Sequence, residues 1–455
     1  MDKRIFIVVF LWSLINVVSC SFDDEGLEVV DLAGGKTTVE AEFSNAYQIP
    51  APNMNKEESD FHRQGDALFE GIFITPPAPA MGGLGPLFVQ NSCANCHKKN
   101  GSAAFPLATG DMGGVLARVS LPGHDNPYSI LPVPGYGTQI QTKATFGVIP
   151  EAKLSYHSTM VEGSMQDGTK YVLMQPDFFL ENFYIPFPSN AQMSIRLAPP
   201  IFGLGLLEAI REEDILAWSD PEDKDGDGIS GRPNYVYDIR TKSHRLGRFG
   251  WKANQSDLYN QTAQAYLEDM GITSPFLTKD PSYGQLQHDN KDDDPEIPEA
   301  TVLATAFYTQ SLGVPDQRRK YDDDVIYGKK LFHFIGCQSC HKSQVTTGTH
   351  QEYFFLSNQT IHPYTDLLLH DMGEGLADHR PDGEANGFEW RTPPLWGIGL
   401  REVVGGHTNF LHDGRARSVE EAILWHGGEA VKSREGFKKL SKSDRQKLLL
   451  FLNSL

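Results

Sequence analysis

The sequence predicts a mainly α protein of two similar helical units, the first carrying a long irregular Pro/Gly-rich insertion with short strands. Three observations predict it. The pattern Cys-x-x-Cys-His occurs twice, as CANCH at 93–97 and CQSCH at 337–341, and a short helical segment precedes each copy (DALFEG at 66–71 and IYGKKLF at 326–332). Between 110 and 200, stretches such as LPVPGYGT (131–138) and FYIPFPSN (183–190) interrupt any helical period with proline, glycine and aromatic residues. Beyond residue 200, apolar residues return at helical spacing.

In chain order, the first element is a targeting segment. Lys3 and Arg4 form a positive start, and residues 5–18 are an apolar run too short for a comfortable membrane span. Ser19 and Cys20 follow where cleavage should fall. This resembles a bacterial lipobox, in which Cys20 is acylated and becomes the new N-terminus. The expectation is a signal peptide over 1–20 and an exported lipoprotein in the outer membrane, facing the periplasm or the cell surface and touching the membrane only through its lipid. The acidic SFDDEG at 21–26 resembles a surface-export signal. Residues 21–55 are polar and poorly periodic and read as a tether.

Residues 56–300 and 301–455 are then the two units. IFGLGLLEAI (201–210) starts a helical segment that runs to Ala217, and residues 298–312 form a cleaner helix with Val302, Leu303, Ala306 and Tyr308 on its apolar face. Residues 291–299 read as a solvated linker. The Ser-x-x-Glu pattern at Ser418 and Glu421 is a capping box, with Gly427 as the C-cap of the helix it opens. Residues 441–455 make a final amphipathic helix.

The cysteines decide the chemistry. There are five in 455 residues, and with Cys20 set aside the rest form two pairs, Cys93/Cys96 and Cys337/Cys340. A redox dithiol does not need the adjoining histidine, and a four-cysteine zinc site joins pairs roughly 15–20 residues apart, whereas 240 residues separate Cys96 from Cys337. Cys-x-x-Cys-His is the attachment pattern of c-type haem: the thiols form thioethers, and His97 and His341 become the proximal iron ligands. The helices before each motif resemble the Gly-x-x-Leu-Phe helix of cytochrome c domains. Two covalent haems in two cytochrome c-like domains are therefore expected.

DKDGDGISGRPN (223–234) has the oxygen-donor spacing of an EF-hand loop, with Asp223, Asp225, Asp227 and the carbonyl of Ile229 as candidate calcium ligands. Asn234 replaces the bidentate glutamate, and a plain Asp/Gly turn is the other reading. The net charge of −19 excludes nucleic acid as a partner, because nothing here neutralises phosphates.

The segment 389–430, together with RLAPPIFGLGLLEAI (196–210), RFGWKA (248–253) and LLLHDMGEGLAD (367–378), resembles the dihaem oxidoreductases related to bacterial dihaem cytochrome c peroxidases and MauG. The resemblance implies a peroxidase-like oxidoreductase, with one haem relaying electrons to the other. It also implies an electron-donor protein and a small oxidant such as peroxide as partners. In its register His426 becomes the second axial ligand of the haem on His341. Met372 is the alternative, and His370 beside it is a further candidate. His412 matches the histidine of the peroxidase motif, near a haem edge or propionate, and is a candidate catalytic residue with His370. Arg415 and Arg417 are propionate partners or surface arginines, and Trp251 is an electron relay or a core indole. His124 and His157 read as loop histidines. The rival function is a non-enzymatic electron-transfer or iron-uptake accessory lipoprotein whose haems are both six-coordinate.

Overall fold

Helix α1, Lys56–Glu70, opens on a reciprocal cap: the Asn55 side chain accepts from Glu58 N at 2.9 Å, and the Glu58 carboxylate accepts from Asn55 N at 2.7 Å. The computed structural model describes residues 32–106, 112–126 and 128–455. Signal peptide, Cys20 and residues 21–31 lie outside the described residues. Ten further α-helices follow in the described chain. They are α2 (Cys93–Cys96), α3 (Leu204–Glu208), α4 (Glu212–Leu216), α5 (Leu258–Met270) and α6 (Glu299–Gln310). After these come α7 (Asp323–Phe334), α8 (Arg401–Gly405), α9 (Val419–Trp425), α10 (Val431–Lys439) and α11 (Lys442–Ser454).

The duplication is visible in two helix crossings. Helix α1 packs on α6, and α7 on α11. Each crossing centres on the glycine of a Gly-x-x-Leu-Phe stretch. A Cβ on Gly65 would overlap the Ala304 carbonyl oxygen and stand 2.8 Å from Tyr308 Cβ. On Gly328 it would overlap the Lys447 carbonyl and stand 2.8 Å from Phe451 Cβ. One turn later the phenylalanine reaches the motif histidine: Phe69 lies 6.1 Å from His97 and Phe332 lies 6.2 Å from His341, ring centre to ring centre. Helix α6, at the start of the stretch expected to form the second unit, thus packs against α1 of the first.

The mainly α expectation is corrected. Helix makes up 29% and strand 20%, with seven two-stranded sheets among the described residues, so strands are a second principal component. Most pairs are two to six residues long and are held by distant partners, which leaves no local period to read. The exception is a hairpin of twelve-residue strands, Lys153–Ser164 and Lys170–Glu181, inside the region expected to hold only short strands. At its base Tyr156 Oη donates to Pro106 O at 2.6 Å. At its tip Gln166 N donates to Lys438 O at 3.1 Å, and Arg445 pairs with Asp167 at 2.8 Å. The hairpin therefore straps the first unit to α10 and α11.

Residues 32–55 are not a tether. Thr38–Val39 pairs in parallel with Val314–Pro315. Tyr47 is buried, stacks on Phe202 with ring centres 4.2 Å apart, and donates to Gly397 O at 2.6 Å. Two other local expectations shift. The helix starting near 201 breaks into α3 and α4, because Ile210 leaves the helical path to bridge Thr347. Ser418 does cap α9, but Gly427 is extended rather than left-handed. It is needed for close approach, since a Cβ there would lie 2.6 Å from Met372 O. No helix among the described residues is long and apolar enough to cross a membrane.

Candidate haem site

The two motifs fold alike. In the first, α2 makes one turn from Cys93 to Cys96, and His97 N donates back to Cys93 O at 2.9 Å. In the second, Gly336 at φ +86° turns the chain into a 3-10 turn, Cys337–Ser339, and His341 N donates to Cys337 O at 3.0 Å. Each histidine thus stands one turn beyond its first cysteine. The four motif cysteines are free thiols, and burial pushes Cys93 and Cys337 up to about 12, so they are not poised as redox nucleophiles. Nor do the four sulfurs gather into one cluster among the described residues.

Both motifs open into one cavity of about 380 Å³, a volume in the range of cofactor sites. His97 donates from Nδ1 to Pro199 O at 2.7 Å, and His341 from Nδ1 to Tyr364 O at 2.9 Å. A carbonyl only accepts, so Nδ1 carries the proton and Nε2 keeps its lone pair. Burial holds both rings at about 4, hence neutral at ordinary pH. A neutral imidazole oriented through its other nitrogen is the state a metal requires.

A family model described as "Di-haem oxidoreductase, putative peroxidase" matches residues 28–151 and 185–455. The chain belongs to this di-haem oxidoreductase family. No curated protein matches it. The unmatched stretch between the two matched segments contains the long hairpin, which is thus an addition to the shared frame. As a member of this family the chain carries two haems, and the residues present fit them. Paired free thiols and an oriented neutral histidine occur twice around one cavity.

The cavity gathers most of the residues singled out in the sequence. His426 lines it and donates from Nδ1 to Ala422 O at 2.7 Å, repeating the state of His341. Met372 lines it as well, with its backbone against Gly427. His370 does not offer a lone pair: Nδ1 lies 2.7 Å from Glu429 Oε2 and Nε2 lies 2.9 Å from Asp366 Oδ2. Burial works against its charge, but Asp366 outweighs it and holds the pKa well above the usual histidine value. The buried imidazolium also stands 3.5 Å from Cys340 Sγ. His412 lines the cavity as a neutral ring, pulled to about 4 by burial and stacked on Trp390 with centres 3.7 Å apart. Trp251 lines it too, its Nε1–H donating to Leu197 O at 2.7 Å.

Other residues fall elsewhere. Arg415 pairs with Asp413 at 2.8 Å and Arg417 with Glu421 at 2.6 Å, so neither has a guanidinium to spare. His124 donates within its own exposed loop and His157 pairs with Asp177 on the hairpin. In the acidic loop, Asp220, Asp223 and Asp225 bring carboxylate oxygens within 4.8 Å of one another. The Asp227 carboxylate instead accepts from Ile229 N at 2.8 Å. Asn234 is buried away from the loop, donating to Lys252 O at 2.7 Å.

Sequence reasoning missed the wall beside the first motif. Leu258, Gln261, Thr262, Ala265 and Asp269 of α5 all line the cavity. Burial pushes Asp269 up to about 6, although Arg118 and a 2.9 Å hydrogen bond from Gln139 pull it down. The i, i+3, i+4 spacing of polar and small residues along α5 was the available signal. Arg391 and Arg401 were missed as well, although both lie within the segment 389–430 that carries the resemblance.

Proposed function

We propose that the chain is a dihaem c-type oxidoreductase of the peroxidase kind, with one haem relaying electrons to the other. The observation that carries this reading is the single cavity onto which both Cys-x-x-Cys-His motifs open. The cysteine pairs would hold the haems through thioethers, with His97 and His341 as proximal ligands. Bound haem iron supplies one-electron transfer and, where a coordination position is open, peroxide binding.

The chain's own residues divide the labour. His341 and His426 both line the cavity and both keep the lone pair of Nε2, which favours a saturated relay site in the second unit, with Met372 as the alternative ligand. At the first motif, α5 offers Gln261, Thr262 and Asp269. Asp269 holds a proton below about pH 6 and releases it above, so it suits the acid/base work that O–O cleavage needs. Trp251 and the Trp390–His412 stack line the cavity that the two motifs share. An electron-donor protein and a small oxidant are the partners this chemistry calls for. We also read the chain as an exported lipoprotein anchored by Cys20, with a structural calcium ion at the acidic loop.

Peroxide titration of the oxidised holoprotein, followed by absorption, tests the reading. A high-spin component that changes with peroxide supports the enzyme. Two low-spin haems inert to peroxide would overturn it and favour the electron-transfer or iron-uptake role.

A further inference from the structure

Five arginines that line the cavity fall into two classes. Arg118 pairs with Glu268 at 2.9 Å, Arg196 with Asp382 at 2.6 Å and Arg434 with Glu435 at 3.0 Å. Arg391 and Arg401 have no carboxylate in contact among the described residues. Arg391 donates only to backbone, from Nε to Gly250 O at 2.9 Å and from Nη1 to Thr392 O at 3.1 Å. It is 8% exposed. Asp366, the acid that acts on it electrostatically, is already engaged by His370 and by Leu368 N. Arg401 donates to Asn409 O and lies 4.4 Å above the Phe410 ring. Burial lowers both guanidinium groups to about 10, which leaves them charged at ordinary pH. Arg391 is a buried cation and Arg401 a partly buried one, and a cation held there without a counter-charge is costly, so each is a place for an anion.

The two arginines sit at different motifs. Arg401 starts α8, which packs on the 3-10 turn Lys98–Asn100 directly after His97, and Val404 of the same helix meets Gly101. Arg391 ends the strand Glu389–Arg391, paired with Leu369–Asp371 on the second unit. The same Asp366 acts electrostatically on both Arg391 and His341.

We propose that Arg401 binds a propionate of the haem at the first motif and Arg391 a propionate of the haem at the second. This inference rests on the dihaem reading above. Propionates are the anions a haem carries into such a cavity, and the planar fork of arginine matches a carboxylate in two-point contact. One short segment of the second half, 391–401, would then anchor both haems and fix their separation. A residue at 401 thereby serves the cofactor attached at 93 and 96.

The test uses the holoprotein carrying Arg401→Gln, Arg391→Gln and the corresponding lysine variants. Haem content is read by pyridine haemochrome, and the midpoint potential of each haem by spectroelectrochemistry. Cys93→Ala/Cys96→Ala and Cys337→Ala/Cys340→Ala chains assign the two potentials. Removing a positive charge beside a propionate favours ferric iron. Arg401→Gln is therefore expected to lower the first haem's potential alone, and Arg391→Gln the second's alone. Lysine should restore most of either shift, and it serves as the test where glutamine prevents folding. Unmoved potentials at full haem content, or shifts in the opposite haem, would overturn the assignment. A wild-type chain without two haems would overturn the dihaem reading itself, a separate result.

Discussion

His426 donates from Nδ1 to the Ala422 carbonyl oxygen at 2.7 Å, so Nε2 keeps its lone pair on a residue that lines the cavity. If that lone pair is the second ligand of the haem on His341, His426→Ala opens a coordination position. The holoprotein should then gain a high-spin signal in electron paramagnetic resonance. His426→Met should keep it low-spin but raise its potential, because thioether ligation favours ferrous iron. An unchanged spectrum in both variants would transfer the role to Met372.

Gly65 and Gly328 permit the two helix crossings that support the motif histidines. Alanine at either position forces the helices apart, at a cost of about 1–3 kcal/mol for overpacking. Chemical denaturation of the holoprotein should show comparable losses for Gly65→Ala and Gly328→Ala. Losses of a few tenths of a kcal/mol would mean that the crossings are looser than described.

His370 is the positive member of a buried triad with Asp366 and Glu429. Removing it leaves two carboxylates without their cation. His370→Ala should destabilise the protein by roughly 3–5 kcal/mol, the range for breaking a buried charge pair. Equilibrium unfolding measures this, and a loss below 1 kcal/mol would show that water relieves the site.

Glu151 predicts a pH dependence. Burial pushes its carboxyl from 4.5 up to about 8, although Gln141 N at 2.6 Å and Gln285 Nε2 at 3.0 Å pull it down. The folded state therefore favours the protonated acid. Its contribution to stability is complete below about pH 4.5 and is lost as the pH rises to about 8. Glu151→Gln stays neutral, can accept from Gln141, and can donate to the otherwise unpartnered Gln285 Oε1. Denaturation across pH should show the variant gaining on the wild type between those limits. A pH-independent difference would contradict the assignment.

Features carried by local pattern were legible in the sequence. The haem motifs are contiguous, the Gly-x-x-Leu-Phe helices repeat, and α6 and α11 show clear apolar periods. The long hairpin was also legible: MQDGT at 165–169 places an Asp-Gly turn between two β-rich runs, but surrounding proline and glycine drew the reading towards irregular structure. Residues 32–55 looked like a tether because their contacts, Thr38 with Val314 and Tyr47 with Gly397, are made by backbone or over long range. The arginines show the limit most clearly. Arg415 and Arg391 look equally suitable in sequence, and only the fold shows that Asp413 occupies one while, among the described residues, no carboxylate contacts the other.

In the proposed enzyme both Cys-x-x-Cys-His motifs hold covalent haem around one shared cavity. Intact-mass measurement of the denatured holoprotein, with pyridine haemochrome on the same sample, tests it most directly. Two haems per chain are predicted for the wild type. One is predicted for Cys93→Ala/Cys96→Ala and one for Cys337→Ala/Cys340→Ala. A wild-type chain with no covalent haem, or a double variant that keeps both, would contradict the account.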